Sequence, residues 1–250
     1  MMHKPWRAAC LLLAVSLASA QTSAPTSTPS PPVTTYITPE ALFQASPLPP
    51  GPPAGSTAAA ADLQAVLAVQ AVLAAQQQRT PADVQDALRD ADRGPVAWAQ
   101  DAEGLGATFT EQRYPATTAL LLALHEDMRA VNRAGNTEKG HRARLGVVDS
   151  RIQSIFAENL TQTASYPSAR SASSRVWALL LADIFPDRRA ALHARADRTA
   201  ELRLLGGAHF PSDILAGKQV GDRYYLQFSG NAGFQQALRK AMNEAKAAKP

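Results

Sequence analysis

An all-α domain, a compact helical globule, is predicted for this chain by three observations. Alanine supplies 50 of the 250 residues while aromatics make up 6%, a composition that favours helix over sheet. Apolar residues recur at three- and four-residue spacing in several segments, the stripe of a helix buried along one face. Nowhere is there a convincing run of alternating β-branched residues, as a half-buried strand would require.

The elements follow in chain order. Residues 1–20 carry Lys4 and Arg7, an apolar run from Ala8 to Leu17, and Ala18-Ser19-Ala20. This is the charged start, apolar stretch and small-residue cleavage site of a signal peptide, with cleavage expected after Ala20. Residues 21–35, rich in Ser, Thr and Pro, lack the apolar content to fold and are expected to form a disordered leader. The folded domain is expected over 36–250. Its Pro47–Pro53 cluster cannot sit inside a helix and reads locally as a linker or an SH3-type ligand.

After Ser56, Leu63, Val66, Leu67 and Leu73 fall on one stripe of a helix running to Gln78. Thr80 as cap and Pro81 at the first position open a shorter helix to Ala91. Leu120, Leu121, Leu124, Met128 and Val131 mark a core helix. From Ser173 to Phe185, Val176, Leu180 and Ile184 share a row beside Trp177 and Leu181, and Pro186 stops the helix. A helix over Asp187 to Leu205 ends at Gly206-Gly207. Pro211 to Phe228 and Gly233 to Ala247 supply two more.

Composition also excludes several functions. The single cysteine, Cys10, rules out a Cys-rich zinc site or iron–sulfur cluster. The net charge of +4 falls by two when Lys4 and Arg7 leave with the signal, too little for a nucleic-acid binder. No apolar stretch of the mature chain reaches spanning length, so no stable membrane insertion is expected. The skew to 19 Arg against 6 Lys suits forked recognition of phosphate or carboxylate.

Three segments carry residues with chemical potential. In Arg203 to Asp213, a glycine pair breaks the chain and His209 stands just before a helix opened by Pro211, with Asp213 four residues on. An aspartate holding one ring nitrogen leaves the other free to attack or to shuttle a proton, although the same pattern suits a capping Asp beside a surface His. In Ser165-Tyr166-Pro167-Ser168-Ala169-Arg170, a hydroxyl, backbone N–H groups and a guanidinium precede the apolar helix, which suits either an anion site or an ordinary Ser cap with a solvated Arg. The third, His141-Arg142-Ala143-Arg144, reads on its own as a solvated basic patch.

Taken together, Arg-x-Arg, then Tyr-Pro-Ser, then Arg, five residues, His, three residues and Asp resemble the type 2 phosphatidic acid phosphatase and haloperoxidase superfamily. The pattern looks most like the bacterial class A non-specific acid phosphatases. Ala41-Leu42 to Pro53, Phe185-Pro186-Asp187-Arg188 and Gly233-Phe234-Gln235-Gln236-Ala237-Leu238 also resemble segments of those proteins. The first and second motifs depart from the family pattern. Leu145 stands for a Pro, Thr137 for a Lys with Lys139 two residues out of register, and Arg170 for the general-acid His. In the third motif Leu202 replaces a Ser, while Arg203, His209 and Asp213 are all present.

The resemblance implies a metal-independent phosphomonoester hydrolase without a cofactor. His209 would be the nucleophile and Asp213 its orienter, with Arg144, Ser168, Ala169, Arg170 and Arg203 around the phosphoryl group. Phosphate or vanadate would bind as an anion, the latter also through His209 in the haloperoxidase branch. Arg170 cannot usefully deliver a proton, and an acid is worth about 10² to 10⁴ in rate. The resemblance therefore admits an enzyme of reduced activity or an inactive phosphate-binding member. It further implies an exported bacterial protein, periplasmic or secreted, acting on a small phosphorylated substrate and open to homo-oligomerisation.

Overall fold

A computed structural model of the chain describes residues 36–45, 50–75, 81–138, 142–152, 154–156 and 164–248. The expected signal peptide and leader, part of the Pro47–Pro53 cluster, and Lys139 and His141 lie outside these residues. The described elements, all helical, are α1 (Pro39–Ala45), α2 (Thr57–Ala75), α3 (Pro81–Asp92), α4 (Pro95–Gln100), α5 (Pro115–Glu138), α6 (Leu145–Val148), α7 (Ala169–Ile184), α8 (Arg189–Leu205), α9 (Pro211–Ser229) and α10 (Ala232–Ala247), with short 3₁₀ turns at Gly106–Thr108 and Pro186–Arg188. Among the described residues there is no strand.

The centre of the fold is α7. Val176, Trp177, Ala178, Leu180, Leu181 and Ala182 are fully buried, and α8, α9, α5 and α10 pack around it. A helix covered on nearly every side needs small residues where its neighbours come close. On α9, a Cβ at Gly217 would stand 2.4 Å from the Ser168 carbonyl oxygen, and one at Gly221 would stand 2.7 Å from Arg175 Cβ. These two glycines, one helical turn apart, let α9 lie directly against the start of α7. Trp98 of α4 meets Trp177 edge-on at 5.5 Å and donates its ring N–H to Thr199 of α8 at 2.9 Å.

Caps explain several helix starts. Ser168 accepts the Ser171 amide at 3.4 Å, and Asn231 accepts the Phe234 amide at 3.0 Å. α5 is capped from another helix: Glu244 of α10 accepts the Ala116 and Thr117 amides at 2.7 and 2.9 Å. Tyr36 hooks the first described segment to the body through its amide on Asp127, at 2.8 Å, and its ring against Phe228 and Phe234.

Two helix starts differ from the sequence expectation by two residues or more. α7 begins at Ala169 rather than Ser173, because its first turns are polar but buried: Ser171, Ser173 and Ser174 are packed, and the Ser174 hydroxyl donates to the Ser171 carbonyl at 3.2 Å. α8 begins at Arg189, after a 3₁₀ turn that Pro186 opens. The short α1, α4 and α6 were not anticipated, since four to seven residues carry little periodicity. At the other end of α8, Gly207 with φ +71° provides the left-handed stop read from the glycine pair.

Candidate active site

That stop delivers His209 to the site. His209 lies two residues beyond Gly207, and two residues later the chain enters α9, where Pro211 takes the first position and Asp213 lies in the first turn. The Asp213 carboxylate accepts the Phe210 amide at 2.9 Å and the Ser165 hydroxyl at 2.5 Å. It also accepts Arg142 Nη1 at 2.8 Å. The backbone carbonyl of Asp213 accepts the Ser168 amide at 2.9 Å, which ties the start of α7 to the start of α9.

His209 is 2% exposed. Its Nδ1 is 2.8 Å from the Ser165 carbonyl oxygen and 3.6 Å from Asp213 Oδ2, and its Nε2 is 2.9 Å from Arg144 Nη1. A carbonyl only accepts and a guanidinium only donates, so Nδ1 carries the proton and Nε2 the lone pair. Burial, then the charges of Arg144 and Arg203, push the imidazole pKa down to about 4 against the opposing pull of Asp213. Burial raises the Asp213 carboxyl, but the neighbouring His209, the Ser165 hydrogen bond and the Arg142 charge hold it below its ordinary value. The nearest acceptor of the Nδ1 proton is thus the Ser165 carbonyl, and the Asp213 carboxylate stands behind it, holding Ser165 through its hydroxyl.

The remaining candidates fall as follows. Arg144 caps α6, is 8% exposed, and also donates to the Ala208 carbonyl at 3.3 Å. Leu145 is wholly buried with Val66, Ile152 and Phe210. Arg203, on the last turn of α8, is 4% exposed, and its charge acts on His209. Leu202 is buried against Ala87, Phe156 and Ala208. Ser168 caps α7 from a buried position, with Ala169 as the first helical residue.

Arg170 points elsewhere. It pairs with Asp90 of α3, Nε to Oδ2 at 3.3 Å, donates to the Asp90 and Arg93 carbonyls, and its Cζ lies 5.2 Å from the Trp177 ring centroid. Asp90, 1% exposed, also accepts Arg195 at 2.6 Å and the Thr199 hydroxyl at 3.0 Å. Arg170 therefore binds α3 onto α7, and the cations that lower the His209 pKa are Arg144 and Arg203.

Arg142 corrects the reading of a solvated patch. Its side chain is 11% exposed and its Cζ lies 3.6 Å from the Phe210 ring centroid. It donates to Asp62 at 2.9 Å, Ser212 at 2.6 Å and Asp213 at 2.8 Å. Asp62 in turn accepts the amide and hydroxyl of Ser212. Ser165, Arg142 and Asp62 were missed as site residues, although Asp62 is the sole charged residue of α2, a signal legible in the sequence. Among the described residues no group of three or more His, Cys, Asp or Glu side chains is placed to hold a metal ion, and no helix is long and apolar enough to cross a membrane.

Comparison with known proteins returns acid phosphatases. The chain is 30% identical over 166 residues to a non-specific acid phosphatase of Providencia stuartii, a match covering 64% of this chain and 66% of that one. It is 34% identical over 85 residues to a non-specific acid phosphatase of Salmonella typhi, about a third of each chain. An acid phosphatase of Zymomonas mobilis is 30% identical over 92 residues, 37% of this chain and 35% of that one. No family model matches the chain. These similarities support an acid phosphatase family relationship.

Proposed function

From that relationship we propose that the protein is an exported hydrolase of phosphomonoesters that works through a phosphohistidine. The observation that carries this reading is His209: a buried, neutral imidazole whose lone pair at Nε2 faces a guanidinium. The Nε2 lone pair attacks phosphorus, the bond to the leaving oxygen breaks, and the phosphoryl group moves to the ring. Water then attacks the phosphohistidine, releasing inorganic phosphate and restoring the lone pair. The positive charge that develops on the ring is met by the Ser165 carbonyl and the Asp213 carboxylate, both already on the Nδ1 side.

Arg144 and Arg203 neutralise the phosphoryl oxygens, joined by the Ala169 amide at the start of α7 and the Ser168 hydroxyl. For this to happen the incoming anion replaces Nε2 as the acceptor of Arg144 Nη1. Arg170 supplies no proton to the leaving group: a guanidinium holds its proton too tightly, and this one is committed to Asp90. Esters whose leaving group is already a weak base, such as a nitrophenolate, are therefore the expected substrates, and alkyl phosphates are expected to turn over slowly. On this reading the chain is a divergent member of the type 2 phosphatidic acid phosphatase superfamily, with Leu145, Arg170 and Leu202 as its departures from the motifs.

The closed contact between Arg144 and His209, together with the missing acid, favours a second reading, a protein that binds phosphate without turning it over. Nitrophenyl phosphate hydrolysis from pH 4 to 8, measured beside His209→Ala, separates the two. Turnover that disappears in the variant supports the enzyme. Absence of turnover in both, with phosphate still raising the melting temperature of the parent, supports the binding protein.

A further inference from the structure

Gly206 has φ −76°, a value any residue adopts, so its lack of a side chain has another cause. A Cβ there would stand 2.3 Å from Phe156 Cε2 and 2.6 Å from Phe156 Cζ. The Phe156 ring fills the notch that Gly206 leaves at the end of α8. It is held there by the chain around it: the Ile155 amide donates to the Gly206 carbonyl at 3.0 Å, and the Phe156 amide to the Ser154 hydroxyl at 3.2 Å. Leu202, Ala208 and Ala87 close around the ring, which is 6% exposed. Arg203 lies over it, with Cζ 4.0 Å from the ring centroid.

We propose that Phe156, seated in the Gly206 notch, is a positioning residue that holds the Arg203 guanidinium for the phosphoryl group. The proposal rests on the reading of Arg203 as a phosphate ligand. Arginine has a long, rotamer-rich stem, and its planar head hydrogen-bonds through its edge rather than its face. An aromatic ring under that face attracts the cation and limits its rotation, and it occupies the face rather than the N–H edge. Because the ring lodges against the backbone of the same helix turn that carries Arg203, a displaced ring changes the guanidinium before it changes the fold of α8.

The test is calorimetric titration of inorganic phosphate into the full chain, with melting temperatures and the kcat and KM of nitrophenyl phosphate recorded alongside. Phe156→Leu is expected to weaken phosphate binding roughly five- to thirtyfold, the range of a desolvated cation–π contact, and to raise KM more than it lowers kcat. Phe156→Tyr, which keeps the ring, is expected to restore affinity to within about twofold. In an Arg203→Ala background, Phe156→Leu is expected to produce no further loss, because the coupling runs through the guanidinium. Should Phe156→Leu not fold, Phe156→Met carries the same comparison. A Phe156 variant that lowers the melting temperature but keeps parental phosphate affinity, or losses that simply add, would overturn the proposal and leave Phe156 a packing residue. If Arg203→Ala alone leaves phosphate affinity unchanged, it is the phosphate-site reading that fails.

Discussion

Arg144 Nη1 stands 2.9 Å from His209 Nε2, so a donor-only group covers the one lone pair the imidazole can offer to phosphorus. The contact keeps the ring neutral, and it aims the guanidinium at the place an incoming anion must occupy.

Removing that guanidinium has two separable effects. Arg144→Ala is expected to weaken phosphate binding and to lower kcat/KM by at least about a hundredfold, the usual cost of losing a donor to a developing oxyanion. It also removes one of the charges that lower the His209 pKa. The acidic limb of the pH profile of kcat/KM, expected near pH 4 in the parent, should therefore move to higher pH in the variant. A limb that stays in place would dissociate Arg144 from the titration of His209.

Stability should depend on pH in a definite direction. The folded pKa of His209, about 4, lies below its ordinary value of 6.5, so the unfolded chain binds the extra proton more readily. His209 thus lowers stability progressively as the pH falls from about 6.5 towards 4, with no effect above that window. Asp213 acts in the same sense at lower pH, since its folded pKa is also depressed. Denaturant midpoints between pH 4 and 8 should fall on the acid side in the parent and fall less in His209→Gln, which does not titrate.

Asp62 joins α2 to the start of α9 through Arg142 and Ser212, with side chains 12% and 11% exposed at the Asp62–Arg142 pair. Asp62→Ala is expected to cost about 2 kcal/mol of stability, the scale of hydrogen bonds to charged groups. It should reduce kcat more than phosphate affinity, because the disturbed groups lie on the Asp213 side of the imidazole. Asp62→Asn, which retains an acceptor oxygen, should recover most of the loss. Urea unfolding and steady-state kinetics on the two variants check this.

Much of the helical architecture was legible because periodicity and punctuation agreed. Val176, Leu180 and Ile184 give one row of α7, and Gly206-Gly207 ends α8 where the spacing says it should. The first turn of α7 was not, because buried serines look like loop when nothing shows that their hydroxyls find backbone partners. Within the site, His209, Asp213, Arg144 and Arg203 could be named from spacing and resemblance. The partners of Arg142 and Arg170 could not: Asp62 and Asp90 each lie 80 residues earlier in the chain, and only folding brings those ion pairs together. The same limit hid Ser165, whose carbonyl rather than the Asp213 carboxylate is the nearer partner of His209 Nδ1.

The proposed function requires that the phosphoryl group pass through His209. Rapid mixing of the protein with nitrophenyl phosphate, an alkaline quench that preserves phosphohistidine, and mass spectrometry of the resulting peptides test it directly. One added phosphoryl group is expected on the peptide that contains His209, and none in His209→Ala. Turnover that proceeds without that adduct, or that survives in His209→Ala, would contradict it.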